Sequence, residues 1–262
     1  MDTLVCTVSP QGVARVEMAR PKVYNAFDEA MIGELAEVVE RLSNDPAVRV
    51  IVLAGQGKAF SAGADLQWMQ RASDATQEWN LADARRFADM LWRLASCPKP
   101  TIARVHGVAL GGGVGLVCAC DIAVAAEDAS FAVSEVKFGI LPAVIGPYLT
   151  NAVGKRHAQR LALTARRIGA PEAMEIGLVH AVRPAAQLDV AVDELIGELM
   201  ANGPQAMAEV KALFARLPVG PVTEDIRELT AQAISRVRTS DEAREGFAAF
   251  LGKRPAAWTR SS

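Results

Sequence analysis

Gly57-Lys58-Ala59-Phe60-Ser61-Ala62-Gly63-Ala64-Asp65-Leu66 and His106-Gly107-Val108-Ala109-Leu110-Gly111-Gly112-Gly113-Val114-Gly115 are two small-residue turns of one kind. Each follows a β-branched apolar run, Val48 to Leu53 and Thr101 to Val105, and each leads into a stretch with helical character. Small side chains let a ligand approach the main chain closely. The start of a helix leaves N–H groups without an internal partner. Two such turns are therefore able to aim two donors at one oxygen, the geometry of an oxyanion hole. Taken singly, either turn also serves for close packing of layers.

Outward from these turns, Leu4 to Val8 and Val13 to Met18 read as strands around Ser9-Pro10-Gln11-Gly12. Asp28 is placed to cap a helix running to about Leu42, with Ile32, Leu35, Val39 and Leu42 on one stripe. The polar passage Gln70 to Gln77 reads as a mobile segment beside a pocket. A helix is expected from about Glu78 to Ala95, with Leu81, Ala84, Ala88, Leu91 and Ala95 on one stripe. Trp79 and Trp92 are either core or pocket lining. Ile122 to Ala126 and Ser130 to Val136 read as further strands. The recurring order of strand, turn and helix indicates an α/β fold with largely parallel pairing. From about Asp193 only helices remain, with stripes at Met207, Val210, Phe214 and Leu217 and at Ile226, Leu229, Ala233 and Val237. Two regions are expected, a core over 1–192 and a helical region over 193–262.

The chain has 262 residues, is 51% hydrophobic and carries a net charge of −2, which suits a folded enzyme-sized core. It has no long run of like charges, which argues against nucleic acid or an anionic membrane as partner. Cys6, Cys97, Cys118 and Cys120 form no Cys-x-x-Cys pair, and His106, His157 and His180 are widely spaced, so no metal is expected. Free buried thiols and an N-terminus without a leader pattern point to the cytoplasm. Phosphate-loop, dinucleotide and nucleophile-elbow spacings are absent. Ser61 reads as a turn residue. Glu135 stands apart. It lies in Phe131-Ala132-Val133-Ser134-Glu135-Val136-Lys137-Phe138-Gly139-Ile140-Leu141-Pro142, and desolvation there raises a carboxyl pKa toward values useful for proton transfer. A strand-end glutamate facing water or pairing with Lys137 is the plainer alternative.

With these residues in order, the chain resembles the enoyl-CoA hydratase/isomerase family, the crotonase fold. The resemblance runs through Arg20-Pro21 with Asn25-Ala26-Phe27, then Phe60 to Leu66, Ala109 to Gly113 and Cys120-Asp121-Ile122-Ala123. It continues through Ser134-Glu135 and Gly139-Ile140-Leu141-Pro142 to Phe250-Leu251-Gly252-Lys253-Arg254-Pro255. It implies a spiral of ββα units with a C-terminal helical trimerisation region, hence a homotrimer or dimer of trimers. It implies an acyl-CoA substrate and no separate cofactor, coenzyme A being part of the substrate. It further implies that the N–H groups of Ala62 and Gly112 hold the thioester oxygen, with Glu135 as the catalytic acid. The substrate-binding positions it implies are Lys22, Ala62 to Leu66, Trp68 and Gly112, with Phe250 and Lys253 often reaching CoA from a neighbouring subunit.

Typical hydratases of this family carry two glutamates that share a water. Glu135 matches the second; Gly115 stands at the first. That departure raises an isomerase, which shuttles a proton on one carboxylate. The wording Ala62-Gly63-Ala64-Asp65-Leu66-Gln67-Trp68-Met69 and Leu141-Pro142-Ala143-Val144-Ile145 is similar to a bacterial subgroup hydrating methylglutaconyl-CoA and carboxygeranoyl-CoA, which also shows glycine there. The expectation is therefore a hydratase of a branched or carboxylated enoyl-CoA. A Δ3,Δ2-enoyl-CoA isomerase and an inactive CoA- or RNA-binding relative are the alternatives. Arg71 and Arg93 are candidates for a cation at the distal pocket wall, and Asp65, Asp121 and Tyr148 read as structural.

Overall fold

The computed structural model describes residues 2–259. The chain opens with a hairpin, β1 (Leu4–Val8) and β2 (Val13–Met18), followed by α1 (Glu29–Asn44) and β3 (Val50–Gly55). Next come α2 (Leu66–Asp74), α3 (Gln77–Ser96), β4 (Thr101–Val105), β5 (Val108–Leu110) and α4 (Gly112–Ala119). β6 (Ile122–Ala126), β7 (Ser130–Ala132), α5 (Gly146–Thr164), β8 (Ile168–Gly169) and α6 (Ala170–Glu175) lead to β9 (Ala181–Arg183). The chain ends in α7 (Leu188–Met200), α8 (Pro204–Phe214), α9 (Glu224–Arg238) and α10 (Asp241–Leu251).

Six strands form one sheet in the order β1-β2-β3-β4-β6-β9, parallel except for the β1/β2 hairpin. A second, short sheet has the order β5-β7-β8. Isolated parallel bridges Phe27–Ala64 and Ser61–Ala109 carry that second layer back to the start of the chain. Each turn of the spiral thus gives one strand to the large sheet, one short extended segment to the second layer, then a helix. This is the ββα repeat that the family resemblance implied.

The elements follow from local chemistry. Every residue of β3 is buried, as a parallel strand covered on both faces requires. Asp28 caps α1 by accepting from Met31 N at 3.1 Å, and the stripe Ile32, Leu35, Val39, Leu42 is buried. One core packs α1, α3, α4 and α5 onto one face of the large sheet. A smaller core on the other face joins Val50, Val52, Ile102 and Val124 to Leu188, Ala191, Val192 and Ile196 of α7.

Several expectations are corrected. Gln70 to Gln77 is not an irregular segment: most of it is the end of α2, and Thr76 caps α3. The buried face of α3 is Asp83, Met90, Leu91 and Leu94, while Leu81, Ala84 and Ala88 are exposed. Trp92 is exposed and Trp79 half-buried against the core. The strand expected over Ser130 to Val136 stops at Ala132, and Glu135 opens a 3-10 turn, Glu135–Phe138. Helix α7 runs unbroken through residues 192 and 193, and the exposed helices begin at α8. Among the described residues no helix is long and apolar enough to cross a membrane.

Candidate active site

The first turn is clamped by two buried polar residues. Asn25 is fully buried with φ 54°, a left-handed conformation that asparagine tolerates. Its Nδ2 donates to the carbonyls of Gln56 and Ala59, both at 2.8 Å, and its Oδ1 accepts from Arg20 N at 3.0 Å. Ser61 Oγ donates to the Asn25 carbonyl at 2.8 Å and accepts from Gly63 N at 3.1 Å. Ser61 is thus a turn residue, as expected. Asn25→Ala is expected to lower stability by about 2–4 kcal/mol, because it deletes three hydrogen bonds and strands buried carbonyls. Denaturant unfolding checks this; a loss under about 1 kcal/mol would contradict the clamp.

The second turn is stitched to the first. Phe60 N and Ser61 N donate to His106 O and Val108 O at 2.9 and 3.0 Å, and Leu110 N donates to Ser61 O at 3.0 Å. Gly111 N donates to Ala132 O at 2.8 Å, which ties β5 to the strand leading into Glu135. Gly63, at φ 85°, has no room for a side chain: a Cβ there would lie 2.6 Å from Leu110 O and 3.6 Å from Gly112 N. The two glycine turns are therefore in contact.

Their amides differ in what they do. Ala62 N–H donates to Tyr24 O at 2.8 Å, so it is committed inside the fold. This corrects the expectation that Ala62 supplies the first donor. Two residues on, Ala64 pairs with Phe27 through its neighbours: Phe27 N donates to Gly63 O and Asp65 N to Phe27 O. Among the described residues Ala64 N–H has no hydrogen-bond partner. Gly112 N–H is likewise unpartnered among them, at the first position of α4, where the helix end favours negative charge. Helix α4 is apolar all round and buried, so this end is held firmly.

Glu135 faces this group. A Cβ on Gly111 would stand 3.2 Å from Glu135 Oε1 and 3.9 Å from Oε2. Glu135 Oε2 is buried without a partner among the described residues. Desolvation raises the carboxyl pKa above its ordinary value, against the opposing pull of the Glu135 and Ser134 backbone amides. Lys137, on the same 3-10 turn, is exposed, and among the described residues no ion pair joins the two. A buried carboxyl oxygen with no partner is costly unless a ligand completes it, and such groups mark functional sites.

The remaining positions divide. Asp65 Oδ1 caps α2 from Gln67 N at 2.9 Å, while its other oxygen pairs with Arg20 at 3.1 Å. Leu66 is exposed at the start of α2, and Lys22 is exposed on the 3-10 turn Pro21–Val23. Trp68 is buried, and its indole N–H has no partner among the described residues. Phe250 and Lys253 lie at the exposed end of α10, and neither is hydrogen-bonded or ion-paired to Ala64, Gly112 or Glu135. Arg71 is paired with Glu29 at 2.7 Å, and Arg93 with Asp89 at 2.6 Å and with Glu40. Both cations are held in surface ion pairs in the single chain. Asp121 bonds Thr101 and Lys211 and is structural.

This geometry has known relatives. The family model described as enoyl-CoA hydratase/isomerase matches residues 9–261. The crystal structure of an enoyl-CoA hydratase from Shewanella pealeana superposes with a TM-score of 0.94 at 43% identity, covering 98% of this chain and 96% of that one. The hydroxycinnamoyl-CoA hydratase-lyase of Pseudomonas fluorescens is 36% identical, over 78% of this chain and 75% of its own length. The mitochondrial Δ(3,5)-Δ(2,4)-dienoyl-CoA isomerase of Homo sapiens is 35% identical, over 92% of this chain and 76% of its own. The chain belongs to the enoyl-CoA hydratase/isomerase family.

Proposed function

We propose that this chain hydrates the 2,3 double bond of a branched enoyl-CoA thioester, with the amides of Ala64 and Gly112 on the thioester oxygen and Glu135 as the proton carrier. The observation that carries this reading is two loops in contact, whose Ala64 and Gly112 amides are unpartnered among the described residues, beside a carboxyl whose buried Oε2 also lacks a partner among them. As water oxygen bonds to C3, the double-bond pair shifts toward the thioester and its oxygen becomes an enolate held by both N–H groups. Donors fixed in advance stabilise that charge more than the ground state. Glu135, as carboxylate, takes a proton from the adding water and returns it to C2. One water is added and the carboxylate is regenerated.

Isomerisation is the second reading, favoured by Gly115. There Glu135 takes a C2 proton from a 3-enoyl thioester and returns it to C4. Turnover of 2-enoyl- and 3-enoyl-CoA panels in heavy-oxygen water separates the two. Hydration puts one heavy oxygen into the product, isomerisation none. CoA binding with no turnover of any panel member would overturn both and favour a binding protein. Because Glu135 must be ionised to start and burial raises its pKa, kcat/KM is expected to fall on the acid side with a midpoint above the ordinary 4.5. A pH profile with its midpoint at or below that value would contradict the role.

Trp68, on the first turn of α2, offers a buried indole N–H with no partner among the described residues, and it is assigned to a polar atom on the acyl tail. The assembly proposed is a homotrimer or dimer of trimers through α8–α10. Those helices expose Val210, Phe214, Ile234, Phe247, Phe250 and Leu251 in the single chain.

A further inference from the structure

His106, at the start of the second glycine turn, is bonded to the first turn twice. Its main-chain carbonyl accepts from Phe60 N at 2.9 Å, and its ring Nε2 lies 3.0 Å from the Gly57 carbonyl. Its Nδ1 lies 3.2 Å from Arg104 Nη1. A guanidinium only donates, so Nδ1 accepts, and the ring proton sits on Nε2, where it donates to Gly57 O. Arg104 is itself fixed by Asp189, in the first turn of α7, through bonds of 2.6 and 3.1 Å. By strand alternation Arg104 shares the α7 face of the large sheet with Ile102, and α4 packs on the opposite face. The series Asp189, Arg104, His106, Gly57 thus runs from a helix behind the sheet to the first residue of the turn that carries Ala64. Gly57 has φ 79°, a conformation that glycine enters and leaves without strain. The entry to that turn is therefore held by hydrogen bonds rather than by its own sterics. A cavity of about 500 Å³ lies alongside, lined by Arg15, Glu17, Gln56, Arg104, His106 and Asp189. The ring is open to it on that side, so its two hydrogen bonds orient it.

We infer that His106 is a positioning residue: its imidazole, oriented by Arg104, pins the Gly57 carbonyl and so fixes the first glycine turn against the second, which sets the spacing of the Ala64 and Gly112 amides. The inference rests on the reading above, in which those amides share one thioester oxygen. His106 acts through the main chain and not on the substrate. Protonation breaks the arrangement, because a proton on Nδ1 faces the Arg104 guanidinium instead of accepting from it. Desolvation holds the imidazole pKa below its ordinary 6.5, with the Arg104 charge adding to it, against the pull of the Gly57 carbonyl, Asp128 and Asp189. Arg15 and Glu17, from β2, are the other charged groups lining the cavity. The ring is therefore neutral, and the pin intact, at neutral pH.

The thioester carbonyl reports on this directly. Butanoyl-CoA labelled with heavy carbon at that carbonyl is bound to wild type, His106→Ala and His106→Gln, and its infrared stretch is measured. In wild type, two amides on the oxygen are expected to lower the stretch below that of the free thioester. His106→Ala is expected to return it part of the way to the free value. The same variant is expected to lose about 10- to 100-fold in kcat on a 2-enoyl-CoA, with a smaller change in KM. Glutamine keeps a donor for Gly57 O, so His106→Gln is expected to restore the stretch and most of the rate. It also lacks the ionisation. The acid limb of kcat/KM, set in wild type by His106 and Glu135 together, is expected to become a single-proton limb in His106→Gln. A lowered stretch in wild type that is unchanged in folded His106→Ala, with kcat also unchanged, would overturn the inference and leave the two-amide reading standing. So would a His106→Gln variant as impaired as His106→Ala. Where His106→Ala does not fold, the acid limb of His106→Gln decides, and a limb identical to that of wild type would overturn the inference. A wild-type stretch no lower than that of the free thioester would overturn both readings.

Discussion

Glu135→Gln is expected to lower kcat by about a thousand-fold while leaving affinity for CoA within about two-fold. Glutamine keeps the shape of the side chain and its place beside Gly111, so the site stays assembled. What it loses is the ability to accept a proton and give it back, and in the proposed reaction every proton movement runs through this one carboxyl. The loss belongs to kcat because the proton moves in the transition state, whereas CoA is held elsewhere. The melting temperature is expected to stay or rise at neutral pH, since the substitution removes an ionisable group whose buried Oε2 has no partner among the described residues. Linkage gives the same sign. A carboxyl pKa raised by burial means that ionising Glu135 costs more in the folded chain than in the unfolded one, and that cost grows as pH rises from 4.5 through the raised value. Circular dichroism melts beside the kinetics separate the two effects. A variant that keeps its rate would remove Glu135 from the chemistry.

Gly112→Ala is expected to cost about 10²–10³ in kcat and about 1–3 kcal/mol of stability. A Cβ there would lie 2.8 Å from Phe27 Cε2 and 2.9 Å from Phe87 Cζ, with Phe27 Cζ closer still. Those rings pack on each other at 5.5 Å between centroids, and Phe27 is 1% exposed, so its ring has no space to retreat. The first turn of α4 must move instead, and its N–H moves with it. A donor aimed at a developing charge loses most of its value over a small displacement, so kcat is expected to fall much more than KM rises. Unfolding by denaturant and steady-state kinetics on the same preparation check both parts. A folded variant with unchanged kcat would show that Gly112 serves only the packing of Phe27 and Phe87.

Much of the fold was legible because the signals were local. β1, β2, β4 and β6 fall where alternating or β-branched runs end in turn residues, and Asp28 caps α1 as its position before an apolar stripe suggested. In helix α3, Leu81 and the alanines share a helical stripe with Leu91, yet the face that packs against α1 and α4 carries Phe87, Met90, Leu91 and Leu94. Nothing in the chain near α3 announces that. The strand toward Val136 was overextended because Val133 is apolar and buried, whereas the 3-10 turn at Glu135 is closed by Gly139 at φ 74°.

The site was legible in its parts and less so in its wiring. The paired turns and Glu135 stand out by residue type and order, whereas Gly112 as a donor enters through the family resemblance. The resemblance implies Ala62 as the first donor, but Ala62 and Ala64 are both small residues of one turn, and residue type does not separate them. Only the hydrogen bond from Ala62 N to Tyr24 O tells them apart, and Tyr24 comes from another segment. The clamp role of Asn25 had a signal, an Asn-Ala-Phe ahead of a helix cap, but its partners Gln56 and Ala59 lie some thirty residues on.

The most direct test of the account is a crystal structure of the Glu135→Gln variant with a 2-enoyl-CoA thioester bound. The thioester oxygen is expected within hydrogen-bond distance of both Ala64 N and Gly112 N, with residue 135 against C2. An oxygen bound by neither amide, or held by Ala62 N with Tyr24 displaced, would contradict it.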